Sequence, residues 1–168
     1  MLISIENFFA CDDAKKINLE LFDRPKWCFS GRSTSDSEPS FWYHEMYDLE
    51  EIKNLFIARI EANGFKLKNI HAFYANGQSH GQCGNYHQDS KDLNNLTLIY
   101  YANNEWDSSW GGATIFLDEL NKPIQTIYPE FNKAVLFKSS IFHAGLEPTS
   151  LFKGLRVTVA LKFSTPTN

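Results

Sequence analysis

The chain has 168 residues, 43% of them hydrophobic and 15% aromatic, which is enough apolar material for a single domain over 1–168 and excludes a mainly disordered polypeptide. A formal net charge of −4 lacks the basic excess of a general nucleic-acid binder, so no nucleic-acid partner is expected. Cys11, Cys28 and Cys83 offer neither zinc-type spacing nor a disulfide framework, and no basic-then-apolar leader or bilayer-length apolar run is present; the expectation is a soluble, cytoplasmic protein with no membrane partner.

In chain order, the first expected element is a helix over 12–22, with Ala14, Ile17 and Leu21 on one face. A Ser-rich loop follows over 30–40. A second helix is expected over 48–63, where Leu49, Ile52, Leu55, Phe56 and Ile60 form an apolar stripe. Asp48 and Glu51 have capping-box spacing, and Gly64 supplies the stop. Beyond Gly64 short aromatic and β-branched runs alternate with turn residues, predicting strands over 68–75, 96–102, 113–117, 124–128, 134–137 and 156–163. The predicted architecture is mainly β with flanking helices. A helical part over about 1–65 packs on a β core over about 66–165, and that core is a double-sheet jelly roll or cupin-like barrel.

Within the β half, His87 and Asp89 stand two apart. On extended backbone such residues point to one side, so both can reach one cation. A third ligand must come from elsewhere in the chain, and His143, after the apolar run 134–137, is the candidate. Two imidazoles and one carboxylate on one face of an octahedron form the facial triad of non-haem iron oxygenases, with three positions left open. His-x-Asp by itself arises often by chance, and ordinary surface or core histidines remain the alternative at this stage.

Arg156 opens the last predicted strand. Arg156, Thr158, Ala160 and Lys162 fall on one face of it; Val157, Val159, Leu161 and Phe163 fall on the other, which must be core. An arginine on the polar face, beyond a metal-binding histidine, is suited to a two-pronged grip on a carboxylate. The alternative is a solvated strand residue, or one paired with Glu147 or Asp118.

Taken together, these segments resemble the prolyl 4-hydroxylase branch of the iron(II)- and 2-oxoglutarate-dependent dioxygenases, over roughly residues 70–163. Tyr74-Ala-Asn-Gly77-Gln78 resembles the family's Y-x-x-G-Q. His87-x-Asp89 is followed by Leu96-Thr-Leu-Ile-Tyr-Tyr101-Ala-Asn103, similar to T-L-x-x-Y-L-N. Trp110-Gly-Gly-Ala-Thr114-Ile-Phe116 resembles G-G-x-T-x-F, and His143 precedes Gly154-Leu-Arg156-Val-Thr158. The resemblance implies a double-stranded β-helix core. It implies Fe(II) held by His87, Asp89 and His143, with 2-oxoglutarate and O2 as co-substrates and ascorbate as a reductant. Arg156 would grip the far carboxylate of 2-oxoglutarate, with Tyr101 beside it, Tyr74 near the metal end and Thr158 lining the same pocket. The implied substrate is a proline-containing peptide or protein.

The chain departs from the pattern in three places. The gap between Tyr74 and His87 is longer, through 79–85; the anchor is Arg156 where collagen-type members use Lys; and Lys162 stands where hypoxia-type members show Trp. The segments expected to shape specificity are 26–47, 78–85 and 106–110. Trp106 and Trp110 serve there either as a substrate clamp or as cover for the barrel end.

Two rival classes are carried forward. One is a non-catalytic cupin-like module that binds a metal or a small acid. The other is a serine hydrolase, because Gly77-Gln78-Ser79-His80-Gly81 fits G-x-S-x-G and Ser79, Asp89 and His143 occur in hydrolase order; its nucleophile elbow would require a helix after Ser79, which Gly81–Asn85 does not favour.

Overall fold

The computed structural model describes residues 1–23, 26–34 and 40–166; residues 35–39 of the predicted Ser-rich loop lie outside that set. Among the described residues ten strands and two α-helices follow one another as β1 (Leu2–Ile5), α1 (Cys11–Asn18), β2 (Cys28–Gly31), β3 (Phe41–Glu45), α2 (Glu50–Ala62), β4 (Asn69–Gln78), β5 (Asn95–Tyr101), β6 (Thr114–Leu117), β7 (Pro123–Ile127), β8 (Ala134–Lys138), β9 (Phe142–Gly145) and β10 (Arg156–Ser164). A seven-stranded sheet runs β1-β8-β5-β10-β4-β3-β2 and a three-stranded sheet runs β7-β6-β9. All strand pairs are antiparallel. This is the double-stranded β-helix arrangement, with helices on one flank.

The strand period of two sorts side chains between two cores. On β5, Leu96, Leu98 and Tyr100 point to the helices, while Ile99 and Tyr101 point to the small sheet. On β8, Ala134 and Leu136 take the first direction and Val135 and Phe137 the second. The helix-side core is built on rings: Phe9 meets Phe56 at 4.8 Å, and Phe56 meets Phe73 at 5.1 Å and Tyr100 at 5.6 Å, each edge to face. As expected, Val157, Val159, Leu161 and Phe163 of β10 are buried in it.

Helix α1 runs on into a π-helical turn, Leu19–Asp23, and buries Ala14, Ile17 and Leu21. In α2, Ile52, Phe56 and Ile60 are buried and Leu49 and Leu55 pack at the margin. Gly64 ends α2 with φ +88°, a left-handed conformation that a side chain would strain, and the Phe65 N–H reaches back to the Ile60 carbonyl. The expected capping box does not form. The helix starts at Glu50 with Leu49 at the cap position and no side-chain cap bond, so Asp48 lies one residue too early. Glu50 and Glu51 still place negative charge at the positive end of the helix dipole.

Four strands escaped the sequence reading. β1, β2 and β3 lie in the first 65 residues and extend both edges of the large sheet, so that region supplies sheet as well as helix. β9 carries the weak pattern Phe-His-Ala-Gly and is a strand because β6 pairs with it, Phe116 opposite His143. No helix among the described residues is long and apolar enough to cross a membrane.

Candidate active site

Antiparallel pairing places His87, Asp89 and His143 on one side. The His87 N–H donates to the His143 carbonyl and the His143 N–H to the His87 carbonyl, both at 3.0 Å. Residues directly opposite in such a pair project to the same side. Asp89, two residues from His87, shares that side, and its N–H donates to the Ser139 carbonyl at 2.9 Å. One ligating atom from each of the three lies within 4.8 Å of the others. His87 Nε2 is 3.4 Å from Asp89 Oδ1 and His143 Nε2 is 3.6 Å from Asp89 Oδ2. Adjacent ligands of an octahedral ion with ordinary bond lengths stand roughly 3 Å apart, so a small inward movement closes the group on a cation.

The donor chemistry fits a divalent metal. His87 Nδ1 lies 2.9 Å from the Asn85 carbonyl and His143 Nδ1 lies 3.0 Å from the Ile141 carbonyl. A carbonyl only accepts, so each Nδ1 carries the proton and each Nε2 presents a lone pair to the site. The His143 ring is held between Phe116, stacked at 6.0 Å, and Phe137, edge-on at 4.7 Å. Burial pushes its pKa down to about 4, leaving the ring neutral and able to coordinate. Burial alone would raise the Asp89 carboxyl, but His87, His143 and Lys162 outweigh it and hold the group well below the usual carboxylate range. Its oxygens are oriented from two sides: Thr97 Oγ1 donates to Oδ2 at 2.7 Å, and Lys162 Nζ lies 2.7 Å from Oδ1.

The cavity over this group extends to Arg156, which is 2% exposed. The guanidinium is held on three sides: Nε donates to the Gly112 carbonyl at 2.5 Å, Nη1 to Gln78 Oε1 at 2.9 Å and Nη2 to Thr114 Oγ1 at 2.9 Å. Among the described residues three of its five N–H donors are thereby used, and one on each terminal nitrogen remains for a ligand. Gln78 is itself fixed, donating to the carbonyls of Gln82 and Gly145. Gly145 keeps the approach clear, since a Cβ there would lie 3.3 Å from Arg156 Nη1. Behind the guanidinium, Gly112 adopts φ +70°, and a Cβ on it would come within 2.8 Å of Trp106. Trp106, Trp110 and Phe152 pack on one another with centroids 4.7 to 5.6 Å apart. The two tryptophans thus cover the Arg156 end of the barrel.

Of the residues singled out in the sequence, His87, Asp89, His143, Arg156, Thr158 and Tyr74 all line this one cavity. Tyr101 stands a layer behind. Its hydroxyl donates to Thr114 Oγ1 at 2.8 Å, and Thr114 is the one that faces the cavity. Arg156 makes neither of the ion pairs considered for it, with Glu147 or Asp118; its partners are neutral. Ser79 comes just after β4 with no helix following it, and its hydroxyl donates to Gln82 Oε1 rather than to an imidazole. That is not a nucleophile elbow.

Sequence reasoning missed Thr97 and Thr114, and gave Gln78 no role. One signal was available for Thr97: it alternates with Leu96 and Leu98, a polar residue at an inward position of an otherwise apolar strand. The two threonines act by hydrogen bonding to partners that are distant in sequence, which no local pattern displays.

The family model of the 2OG-Fe(II) oxygenase superfamily matches residues 70–162, more than half of the chain. The protein therefore belongs to that superfamily and is an oxidoreductase. The family's chemistry uses Fe(II), 2-oxoglutarate and O2, and the His-Asp-His group suits its metal. No curated protein matches the chain by sequence. Solved structures resemble it in fold. A Pseudomonas putida prolyl-4-hydroxylase is 14% identical with TM-score 0.71, the match covering 99% of this chain and 93% of that one. A Trichoplax adhaerens prolyl hydroxylase, in complex with a peptide fragment of the hypoxia inducible factor oxygen degradation domain, is 16% identical with TM-score 0.69, covering 98% and 83%. HygX from Streptomyces hygroscopicus, with nickel, 2-oxoglutarate and hygromycin B bound, is 11% identical with TM-score 0.68, covering 98% and 82%.

Proposed function

We propose that the protein hydroxylates a prolyl residue in a cytoplasmic peptide or protein, coupled to conversion of 2-oxoglutarate to succinate and CO2, with ascorbate as reductant. His87, Asp89 and His143 hold the iron, and Arg156 holds the far carboxylate of 2-oxoglutarate. The observation that carries the reading is the guanidinium buried at the end of the cavity that begins at the triad, with two N–H donors unspent. A binder of metal alone has no use for a desolvated cation at that place, whereas a dicarboxylate chelating the metal at one end needs one at the other.

Bound iron with 2-oxoglutarate supplies the oxidising chemistry; the chain's residues position and shield it. Thr97 and the backbone carbonyls of Asn85 and Ile141 fix the ligands. Gln78, Thr114 and the Gly112 carbonyl fix the guanidinium, so little ordering is left to be done when the co-substrate enters. Thr114 accepts from both Tyr101 and Arg156, which leaves its own proton to donate toward the same carboxylate. Tyr74 borders the metal end and Thr158 the wall between. Support for a prolyl substrate comes from the motif order and from the prolyl hydroxylases among the similar folds.

The test supplies Fe(II), ascorbate and 2-oxoglutarate with proline-containing peptides, and follows succinate together with a +16 mass shift on proline. Wild type is expected to form both, and His87→Ala neither. Arg156→Met is expected to raise the 2-oxoglutarate requirement at least about tenfold, the loss of charge-assisted hydrogen bonds. Full turnover by His87→Ala would overturn the assignment.

A further inference from the structure

Lys162 is neither a metal ligand nor a partner of the far carboxylate in that reading, yet it is built into the same cavity. It lies on the cavity face of β10, six residues from Arg156, a separation of roughly 20 Å along an extended strand. Its ammonium sits 2.7 Å from Asp89 Oδ1 and 5.3 Å from the centroid of the Tyr74 ring. Asp89 is the only acidic residue lining this cavity or the groove that adjoins it across Tyr74 and Asn76, among the described residues.

That arrangement leaves a charge unmatched once the site is loaded. A divalent ion claims the Asp89 carboxylate, and 2-oxoglutarate brings two negative charges, which the metal centre and Arg156 offset. Lys162 would then remain as a partly desolvated cation beside a metal, its one anionic partner shared with that metal. A largely buried cation whose only carboxylate is shared with another cation is under-compensated, so the loaded site favours an incoming anion at this position. Asn76 adds a buried Oδ1 that has no hydrogen-bond partner among the described residues, on the same wall, an acceptor suited to a substrate N–H.

Resting on the reading of the preceding subsection, we infer that Lys162 is a specificity residue that receives a carboxylate of the substrate, so that the oxidised residue stands within a few bonds of an acidic group. The carboxylate belongs either to a small free acid or to an acidic side chain in a peptide. The shared chemistry is one anionic oxygen pair delivered to one ammonium.

Isothermal titration of the protein loaded with Ni(II) and 2-oxoglutarate tests the inference without turnover. Two matched pairs serve as probes: N-acetyl-L-proline against N-acetyl-L-prolinamide, and acetyl-Pro-Asp-amide against acetyl-Pro-Asn-amide. At least one acid is expected to bind wild type about tenfold or more tightly than its neutral partner, as a desolvated charge-assisted bond allows. The pair that discriminates tells the small acid from the acidic peptide. In Lys162→Met the preference is expected to vanish, and Lys162→Arg is expected to retain part of it. Equal affinities within both pairs in wild type, including no measurable binding of any probe, overturn the inference, and that result needs no variant to fold. So does a preference that persists in Lys162→Met. A Lys162→Met protein that instead loses 2-oxoglutarate affinity would place the ammonium on the co-substrate and overturn it as well. Failure of wild type to bind 2-oxoglutarate at all would strike the oxygenase reading itself.

Discussion

His143, a metal ligand in the proposed reading, shows how burial keeps an imidazole neutral. Desolvation in the aromatic slot between Phe116 and Phe137 lowers its pKa to about 4, against roughly 6.5 for an exposed histidine in the unfolded chain. Between those values the unfolded state binds more protons than the folded one, so stability rises with pH through this window. The metal-free protein is therefore expected to lose stability progressively as pH falls from about 6.5 toward 4, by up to roughly 3 kcal/mol from this group. Thermal unfolding of the metal-free protein across that range checks it; a flat melting temperature from pH 6.5 to 4.5 would contradict the burial argument. Lys162 and Asp89 show the complementary case, in which a carboxylate kept ionised by its neighbours also raises the ammonium beside it against the cost of burial.

At the scale of elements, the turn between Trp110 and β6 does as much for the site as any strand. Gly111 and Gly112 have φ +68° and +70°, and the Gly112 carbonyl so aimed accepts from Arg156 Nε. Gly112→Ala is expected to strain the backbone by about 1–2 kcal/mol and to press its Cβ against Trp106 and the Arg156 Cδ. Displacing the guanidinium in this way should weaken 2-oxoglutarate binding by about tenfold, the worth of one charged hydrogen bond. Titration of 2-oxoglutarate into Ni(II)-loaded wild type and variant measures it, and unchanged affinity would show that the Gly112 carbonyl does not set the proposed Arg156 anchor. The β9 strand is the other decisive element, since it carries His143 against β6 on one side and against His87 on the other.

For the molecule as a whole, the large sheet is anchored at its centre and loose at its rims. β10 is paired along almost its whole length to β4 and along most of it to β5, and its apolar side chains fill the helix-side core. β2, by contrast, is an edge strand of four residues, three of them exposed. Amide exchange is expected to be slowest in β10, β5 and the middle of β4, and faster by orders of magnitude in β2. Comparable protection of β2 and β10 would mean that the sheet opens only as a unit. The same asymmetry suits the proposed function, because the triad and Arg156 sit on or against the rigid middle while the adjoining groove at residues 30–34 borders the edge.

The local pattern carried much of this protein. Period-two alternation in 156–163 sorted core from cavity before any coordinates, the stripe at 52, 56 and 60 declared α2, and Gly64 announced its end through backbone freedom alone. His87 and Asp89 were legible as a pair because a two-residue spacing on extended chain is a local fact. Tertiary structure alone decided that β1, β2, β3 and β9 are strands, since short segments with weak patterns take that form only when a neighbour offers its hydrogen bonds. It also decided that Thr97 steadies Asp89, that Thr114 stands between Tyr101 and the cavity, and that Lys162 pairs with the Asp89 carboxylate. Those contacts join residues 8 to 73 positions apart, and a hydrogen bond depends on where two atoms meet in space, which sequence spacing does not encode.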